Sequence, residues 1–341
     1  RHFAWRTRGN ALAMLAPELR AQISATDWHT IIATSITDLV TLKGLFANLH
    51  AARSYLYVHE NQFAYPWRGK GQQNALHIQL QFILNAASAD HLVFNSEYNR
   101  ASALAGASAL LAKMPDHVPE HLMAELESKS IVLPVGISPS SFTLTRSDTP
   151  EDAPIALLWN HRWEYDKAPE RAFDALSRLV DEGLGDRFEL HVVGESFRKV
   201  PEAFEVAREK LDAQIQTWGY VDSRTTYEAL LSRADIVISS ALHEFQGLAM
   251  IEAMAAGARP VAPNRLAYPE YIPPECLYDS FTEDAEAEAC AMAAHLRSLL
   301  EQTSRAAWRE QRALHSARVK RYDWSDIGAR WRALLTSPPR S

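Results

Sequence analysis

From Ile155 onward, short apolar or β-branched runs alternate with stretches whose apolar residues recur at helical spacing. The runs are Ile155–Trp159, Phe188–Val193, Ile215–Tyr220, Asp235–Ser239 and Ala258–Pro263; the helical stretches are 169–183, 201–213, 224–233 and 247–256. Strands separated by helices of that length predict βαβ units on a parallel sheet. The first half repeats the rhythm less regularly. It has strands at Thr30–Thr34, Tyr55–His59, His91–Asn95 and Ile131–Val135, and helices near 72–88 and 97–112. Between the halves, 137–154 is rich in Ser, Thr and Pro, a linker composition. The segment 303–335 reads as one or two basic helices carrying Trp308, Trp324 and Trp331, aromatics spaced as core-facing anchors.

The 341 residues fit two domains. The expected layout is a first α/β domain over 1–145, a second over 146–320 and a terminal helix over 321–341. Cys276 and Cys290 are too few for a disulfide framework or a CxxC metal site, and a reducing cytoplasm fits them. No apolar run is long enough to span a membrane. The net charge of −7 argues against a nucleic-acid partner until it is resolved along the chain. Residues 1–145 hold 11 basic and 10 acidic residues, 146–303 hold 15 and 29, and 304–341 hold 9 and 3. The net negative charge therefore lies in one block.

In open parallel sheets, ligands bind beyond the carboxyl ends of the strands. Four polar groups follow the second-half strands. They are Asn160 through Lys167, then Gly194-Glu195, then the Trp218-Gly219-Tyr220 strand end, then His243-Glu244-Phe245-Gln246-Gly247 opening a helix that carries Glu252. Arg162 and Lys167 suit a diphosphate that Arg can grip with two parallel bonds. Gly247 and Leu248 lie at a helix N-terminus, where free N–H groups favour phosphate. Trp218 and Tyr220 offer a flat edge for a base. Each feature has a plainer reading: Arg162 and Lys167 paired with Glu164 and Asp166, Glu244 as a helix-dipole partner, the Trp-Gly-Tyr end as core packing. Their convergence on one sheet edge favours a nucleotide-sugar site.

His243 through Gly257 (His-Glu-Phe-Gln-Gly-Leu-Ala-Met-Ile-Glu-Ala-Met-Ala-Ala-Gly) resembles the E-x7-E signature of retaining GT-B glycosyltransferases of the GT4 type, with Arg162 and Lys167 similar to that family's phosphate-binding pair. In the first half, Tyr57-Val58-His59-Glu60-Asn61-Gln62, Tyr65-Pro66, Phe94-Asn95-Ser96 and Pro115-Asp116-His117, together with His161-Arg162-Trp163-Glu164 and Trp5-Arg6-Thr7-Arg8, resemble the tRNA-queuosine α-mannosyltransferases. The resemblance implies a GT-B fold, two Rossmann-like domains with parallel sheets facing across a cleft. It implies GDP-mannose as donor and the cyclopentenediol of queuosine in tRNA-Asp as acceptor, with no metal required.

It also assigns roles. His59, Glu244, Arg162 and Lys167 are catalytic. Gly194, Glu195, Trp218, Gly219, Tyr220, Phe245, Gln246, Gly247, Leu248 and Glu252 hold the donor. Glu60, Asn61, Asn95, Ser96, Asp116, His117, Arg6 and Arg8 serve the acceptor side, with Asp116-His117 fitting a helix cap equally well. Two departures stand out. The family carries a strand and Gly-rich loop ahead of the Trp-Arg stretch, which implies N-terminal residues missing here, and Gln246 stands where the family more often has an aromatic residue.

Nothing marks a carboxylate nucleophile, so front-face attack is favoured, the leaving phosphate oxygen taking the acceptor's proton. Two alternatives are a GT4-like enzyme with another donor and a small-molecule, lipid or glycan acceptor, and a non-catalytic protein that binds nucleotide sugar or tRNA. The charge split is also recast. If the last helix returns to the first domain, as in GT-B folds, Arg318, Lys320 and Arg321 would help form the surface a tRNA meets.

Overall fold

The computed structural model describes residues 3–66, 75–145, 149–196, 200–302 and 305–337, and of residues 3, 4, 6–8, 302, 305 and 309 the backbone only. The chain divides into two compact units, 1–134 with 330–341, and 135–329.

The first unit contains α1 (Phe3–Ala13), α2 (Pro17–Ala25), β1 (Thr30–Thr34), α3 (Leu39–Leu45), β2 (Arg53–Val58), α4 (Ala75–Ser88), β3 (His91–Phe94), α5 (Glu97–Leu111), α6 (Leu122–Ser128) and β4 (Ser130–Val132). Its strands form one parallel sheet in the order β1-β2-β3-β4. The inner strands β2 and β3 are mostly buried and become apolar toward their carboxyl ends, as central strands of a parallel sheet do. Leu56, Val58, Leu92 and Phe94 meet Phe82, Ile83 and Leu126 in the core. Ser96 starts α5 as its cap, its Oγ accepting from Asn99 N at 3.0 Å, with Glu97 in the first turn facing the positive helix end.

The second unit runs β5 (Ile155–Trp159), α7 (Pro169–Asp181), β6 (Phe188–Val193), α8 (Ala203–Lys210), β7 (Ile215–Gly219), α9 (Arg224–Arg233), β8 (Ile236–Ile238), α10 (Leu248–Ala255), β9 (Arg259–Pro263), β10 (Leu277–Tyr278), α11 (Ala285–Gln302), α12 (Arg305–Arg318) and α13 (Trp324–Thr336). Its parallel sheet has the order β10-β9-β8-β5-β6-β7. The chain winds outward from β5 through β6 to β7, then returns to lay β8 on the other side of β5. That reversal opens a crevice between the loops that leave β5 and β8, where ligands of such sheets bind.

The boundary expected at 145 lies at Pro134, because the stretch beyond it is folded rather than a free linker. Val135 pairs with Gln246, Ile137 N donates to Tyr322 O at 2.8 Å, and Phe142 and Leu144 pack on the second core. The second boundary falls within α13, not at 320. The final turns of α13 belong to the first unit: Arg330 Nη2 donates to Val132 O (2.9 Å), Tyr55 OH donates to Leu334 O (3.1 Å), and the rings of Tyr57 and Trp331 lie 5.6 Å apart. Of the anchoring tryptophans, Trp308 is buried while Trp324 is half-exposed.

Candidate active site

The crevice is built by zipping the β5–α7 loop to the β8–α10 loop. Ser240 Oγ lies 3.0 Å from Lys167 O and 2.8 Å from Ala168 O, and the amides of Leu242 and His243 donate to Asp166 O at 2.8 and 3.2 Å. These bonds bring Lys167 to Glu244. Lys167 Nζ, 8% exposed, donates to His243 O (2.7 Å) and lies 3.3 Å from Glu244 Oε2 and 3.4 Å from Asp166 Oδ2. Asp166 in turn faces His243 Nδ1 at 3.6 Å.

Burial works against every charge in this cluster, and the neighbouring charges overcome it. Burial and its neighbours leave Lys167 raised, because Glu244 and Asp166 outweigh desolvation. Glu244 is held below the usual carboxylate range by Lys167 against its own burial. Burial also opposes ionisation of Asp166, yet the His243 hydrogen bond and Lys167 bring it down to about 2. His161, buried beside Lys167, is pushed down to about 4 and is neutral at physiological pH. Glu244 Oε1 accepts from Phe245 N at 3.2 Å, which fixes the carboxylate against the turn that opens α10. That turn needs Gly247: its φ is +79°, and a Cβ there would lie 2.4 Å from Tyr271 OH.

Beside this cluster is a cavity of about 410 Å³ lined chiefly by Asn160, Arg162, Gly194, Tyr220, Arg224 and Glu252. Gly194 is required by close approach, since a Cβ would lie 1.8 Å from His161 O. Arg162 is 55% exposed and pairs with Glu164 at 3.1 Å. Glu252 receives Arg224 Nη1 on one oxygen (3.1 Å) and Tyr227 OH on the other (3.2 Å), while Asn160 Nδ2 donates to Tyr227 OH (3.1 Å) and Ala249 O (3.0 Å). Glu195 is exposed on the rim, and Leu248 is exposed in the first turn of α10. Among the described residues, no group of three or more His, Cys, Asp and Glu is placed to hold a metal ion.

Several expected residues serve elsewhere. Trp218 is not part of a flat edge for a base: it packs edge-on to Trp163 (5.2 Å) and against Phe204 in the core. The cause is Gly219, whose φ of +114° ends the strand and sends Tyr220 alone into the cavity. Phe245 is buried edge-on to His243 (4.7 Å). Gln246 is buried too, its amide spent on Val135, with Nε2 donating to Val135 O (2.7 Å) and Oε1 accepting from Val135 N (2.9 Å). That clasp takes up one donor and one acceptor position of the buried amide and fixes its orientation.

The acceptor-side expectations are corrected further. Asn61 Nδ2 donates to Asn99 Oδ1 (2.7 Å) and Ser102 Oγ (3.0 Å), and its Oδ1 accepts from the amides of Phe63 and Ala64. Asn99 donates to Asn95 Oδ1 (2.8 Å) and Asn95 to His59 O (2.9 Å). Asn61, Asn95 and Ser96 are thus the buried frame of the loop after β2, while His59 and Glu60 at its start are half-buried. Asp116 and His117 lie on the exposed α5–α6 connection, 71% and 92% exposed, where neither caps a helix. The side chains of Arg6 and Arg8 lie outside the described residues. The basic terminal residues are engaged within the second unit: Arg318 donates to Tyr271 O (2.9 Å), Arg321 to Glu270 O (2.6 Å), and Lys320 pairs with Asp323 (2.6 Å). Arg224 and Tyr227 also line the cavity and lie outside the strand-end groups to which the sequence points.

Comparison with known proteins follows this division. Residues 1–137 match the family described as tRNA-queuosine alpha-mannosyltransferase N-terminal, and residues 143–314 match glycosyl transferases group 1. The chain is 36% identical over 285 residues to a Drosophila melanogaster protein named tRNA-queuosine alpha-mannosyltransferase, covering 81% of this chain and 73% of the relative. It is 26% identical over 151 residues to a GDP-mannose-dependent alpha-(1-6)-phosphatidylinositol dimannoside mannosyltransferase of Mycobacterium tuberculosis, covering 42% and 38%. Its fold is similar to that of an α,α-trehalose 6-phosphate synthase from Burkholderia multivorans, at a TM-score of 0.70 and 16% identity, over 98% of this chain and 76% of the other.

Proposed function

The chain belongs to the tRNA-queuosine alpha-mannosyltransferase family and is a glycosyltransferase of the GT-B fold; on that premise we propose that it transfers mannose from GDP-mannose to the cyclopentenediol of queuosine in tRNA-Asp. The observation that carries this reading is the cavity at the carboxyl edge of the second sheet, where Arg162, Gly194, Tyr220 and Glu252 converge beside the Lys167–Glu244 pair. The base lies on Tyr220 and the ribose hydroxyls bind Glu252, taking the place of Arg224. The diphosphate is gripped by Arg162, released from Glu164, and by the first N–H groups of α10. Glu244, kept ionised by Lys167, accepts hydrogen bonds from the mannose hydroxyls.

Transfer is a front-face displacement with retention. The bond between the anomeric carbon and the β-phosphate oxygen breaks and its electron pair stays on the diphosphate. The acceptor oxygen forms its bond on the same face, and its proton passes to the leaving oxygen. Arg162, Lys167 and the helix end stabilise the charge that builds on the diphosphate, and no metal is needed for that electrostatic work. His59 is the first unit's catalytic residue, and Glu60 serves the acceptor. The partners are the nucleotide sugar and the tRNA, in the cytoplasm; both cysteines are free and no helix among the described residues is long and apolar enough to cross a membrane.

The test is to incubate the protein with GDP-mannose and queuosine-containing tRNA-Asp and to digest the product for nucleoside mass spectrometry. Queuosine heavier by one hexose is expected. Unchanged queuosine, with mannose passing to another acceptor or to water, overturns the reading.

A further inference from the structure

Behind the catalytic loop and outside the cavity, two buried charges and one partly buried charge meet. Arg265, following β9, faces Glu288 of α11, and Arg171 of α7 reaches the same carboxylate at 3.1 Å. A guanidinium carries five N–H donors in a fixed fork, and Arg265 uses all of them. Nη1 donates to Glu288 Oε2 and to Ser280 Oγ (2.9 Å), and Nη2 to Glu288 Oε1 (2.7 Å). The other two go to main-chain carbonyls, Nη2 to Ser240 O and Nε to Ala241 O, both at 2.9 Å. Those carbonyls belong to the β8–α10 loop. One residue later that loop begins to bond Asp166 O, and its His243 O holds the Lys167 ammonium.

We propose that Arg265 is a positioning residue for glycosyl transfer. Anchored by Glu288, it sets the height of residues 240–241 and thereby the separation of Lys167 from Glu244. The proposal rests on the reading above, in which those two groups handle the charge of the reaction. Lysine could not replace it in kind, because a single ammonium cannot hold two adjacent carbonyls and a carboxylate at fixed angles. Arg171 provides the comparison. It shares Glu288, but its remaining bonds go to Phe281 O (3.0 Å) and Thr282 O (2.6 Å), on a different loop. Removing either arginine leaves Glu288 one buried partner, and in Arg265→Met the Phe281 amide still donates to it at 2.9 Å. Neither change strands the carboxylate, so both variants are expected to fold.

The experiment compares Arg265→Met with Arg171→Met in the full chain. Both should melt at similarly lowered temperatures. Only Arg265→Met should lose kcat, by about 10- to 100-fold, the scale expected for misplacement of a reacting group. GDP affinity, read by calorimetry, should stay within about threefold, since Tyr220 and Glu252, which hold the base and the ribose, lie outside the β8–α10 loop. Arg265→Lys should recover part of kcat. Amide exchange of Leu242 and His243 should quicken in Arg265→Met and not in Arg171→Met. Equal kcat losses in the two variants, or a loss carried wholly by GDP affinity, would refute the assignment. So would wild-type exchange in Arg265→Met, and that readout decides the matter even where the wild-type chain fails to transfer mannose to queuosine, an outcome that sinks the functional reading instead.

Discussion

The carboxyl edges of the two sheets are built from the same kinds of residue and put them to opposite uses. In the second unit, Asn160, Arg162 and Glu252 line open space, and beside them the buried Lys167 ammonium pairs with two carboxylates, Asp166 and Glu244. In the first unit, Asn61, Asn95, Ser96 and Asn99 turn inward and satisfy one another and the loop backbone. A post-strand polar residue is therefore either ligand-binding or architectural according to whether its own loop has already claimed its hydrogen bonds. A buried amide with every donor and acceptor filled is a frame.

The comparison breaks first at Lys167. Lys167→Ala should abolish transfer and also cost about 3 kcal/mol of stability, because Asp166 and Glu244 would be left buried without their cation. Urea unfolding combined with single-turnover assays reads both, and wild-type turnover in the folded variant would remove the charge-stabilisation argument. Glu252→Gln should weaken GDP binding by about 10- to 100-fold, the scale of a charged hydrogen bond, with a smaller change in kcat; calorimetry with unchanged affinity would move the ribose elsewhere. Asn99→Ala, its mirror in the first unit, should lower stability by about 1–3 kcal/mol while GDP affinity holds. A GDP affinity that falls with it would erase the contrast.

The gentlest test is acid. His161 and His315, both in the second unit, are depressed by burial to about 4, against 6.5 in the unfolded chain. The unfolded chain thus binds more protons between those values, so stability is complete above pH 6.5 and declines as pH falls toward 4. The slope is at most about 1.4 kcal/mol per pH unit for each ring. Substituting Asn for both should flatten the melting temperature across that window, and an unchanged slope would assign the acid loss to other groups.

Much of the fold could be read from the chain because buried parallel strands are apolar runs: Ile155–Trp159 and Phe188–Val193 match the observed strands end to end, as does the β-branched edge strand Thr30–Thr34. The two-residue β10 follows a pair of prolines and has no run to see, and α11, rich in alanine and glutamate, shows little apolar contrast. In the site, glycines and charges at strand ends led to Arg162, Gly194 and Glu252. Arg224 was overlooked because in sequence it reads as a solvated partner of Glu228 four residues on; its bond to Glu252 exists only once α9 and α10 are adjacent. Trp218 and Gln246 were misread for a related reason. A side chain's type does not tell which face a left-handed glycine will turn it to, or that a backbone segment far away in sequence will occupy its amide.

The last turns of α13 carry one consequence for how this protein comes into being. The second unit is a single continuous stretch, whereas the first is assembled from both sides of it, with Trp331 and Leu334 completing contacts to Tyr57 and Tyr55. Chains fold as they leave the ribosome, at roughly 5–20 residues per second. The half that is synthesised first is therefore finished last, and must wait, with the partner sites on its second strand uncovered, for the rest of the chain to be made.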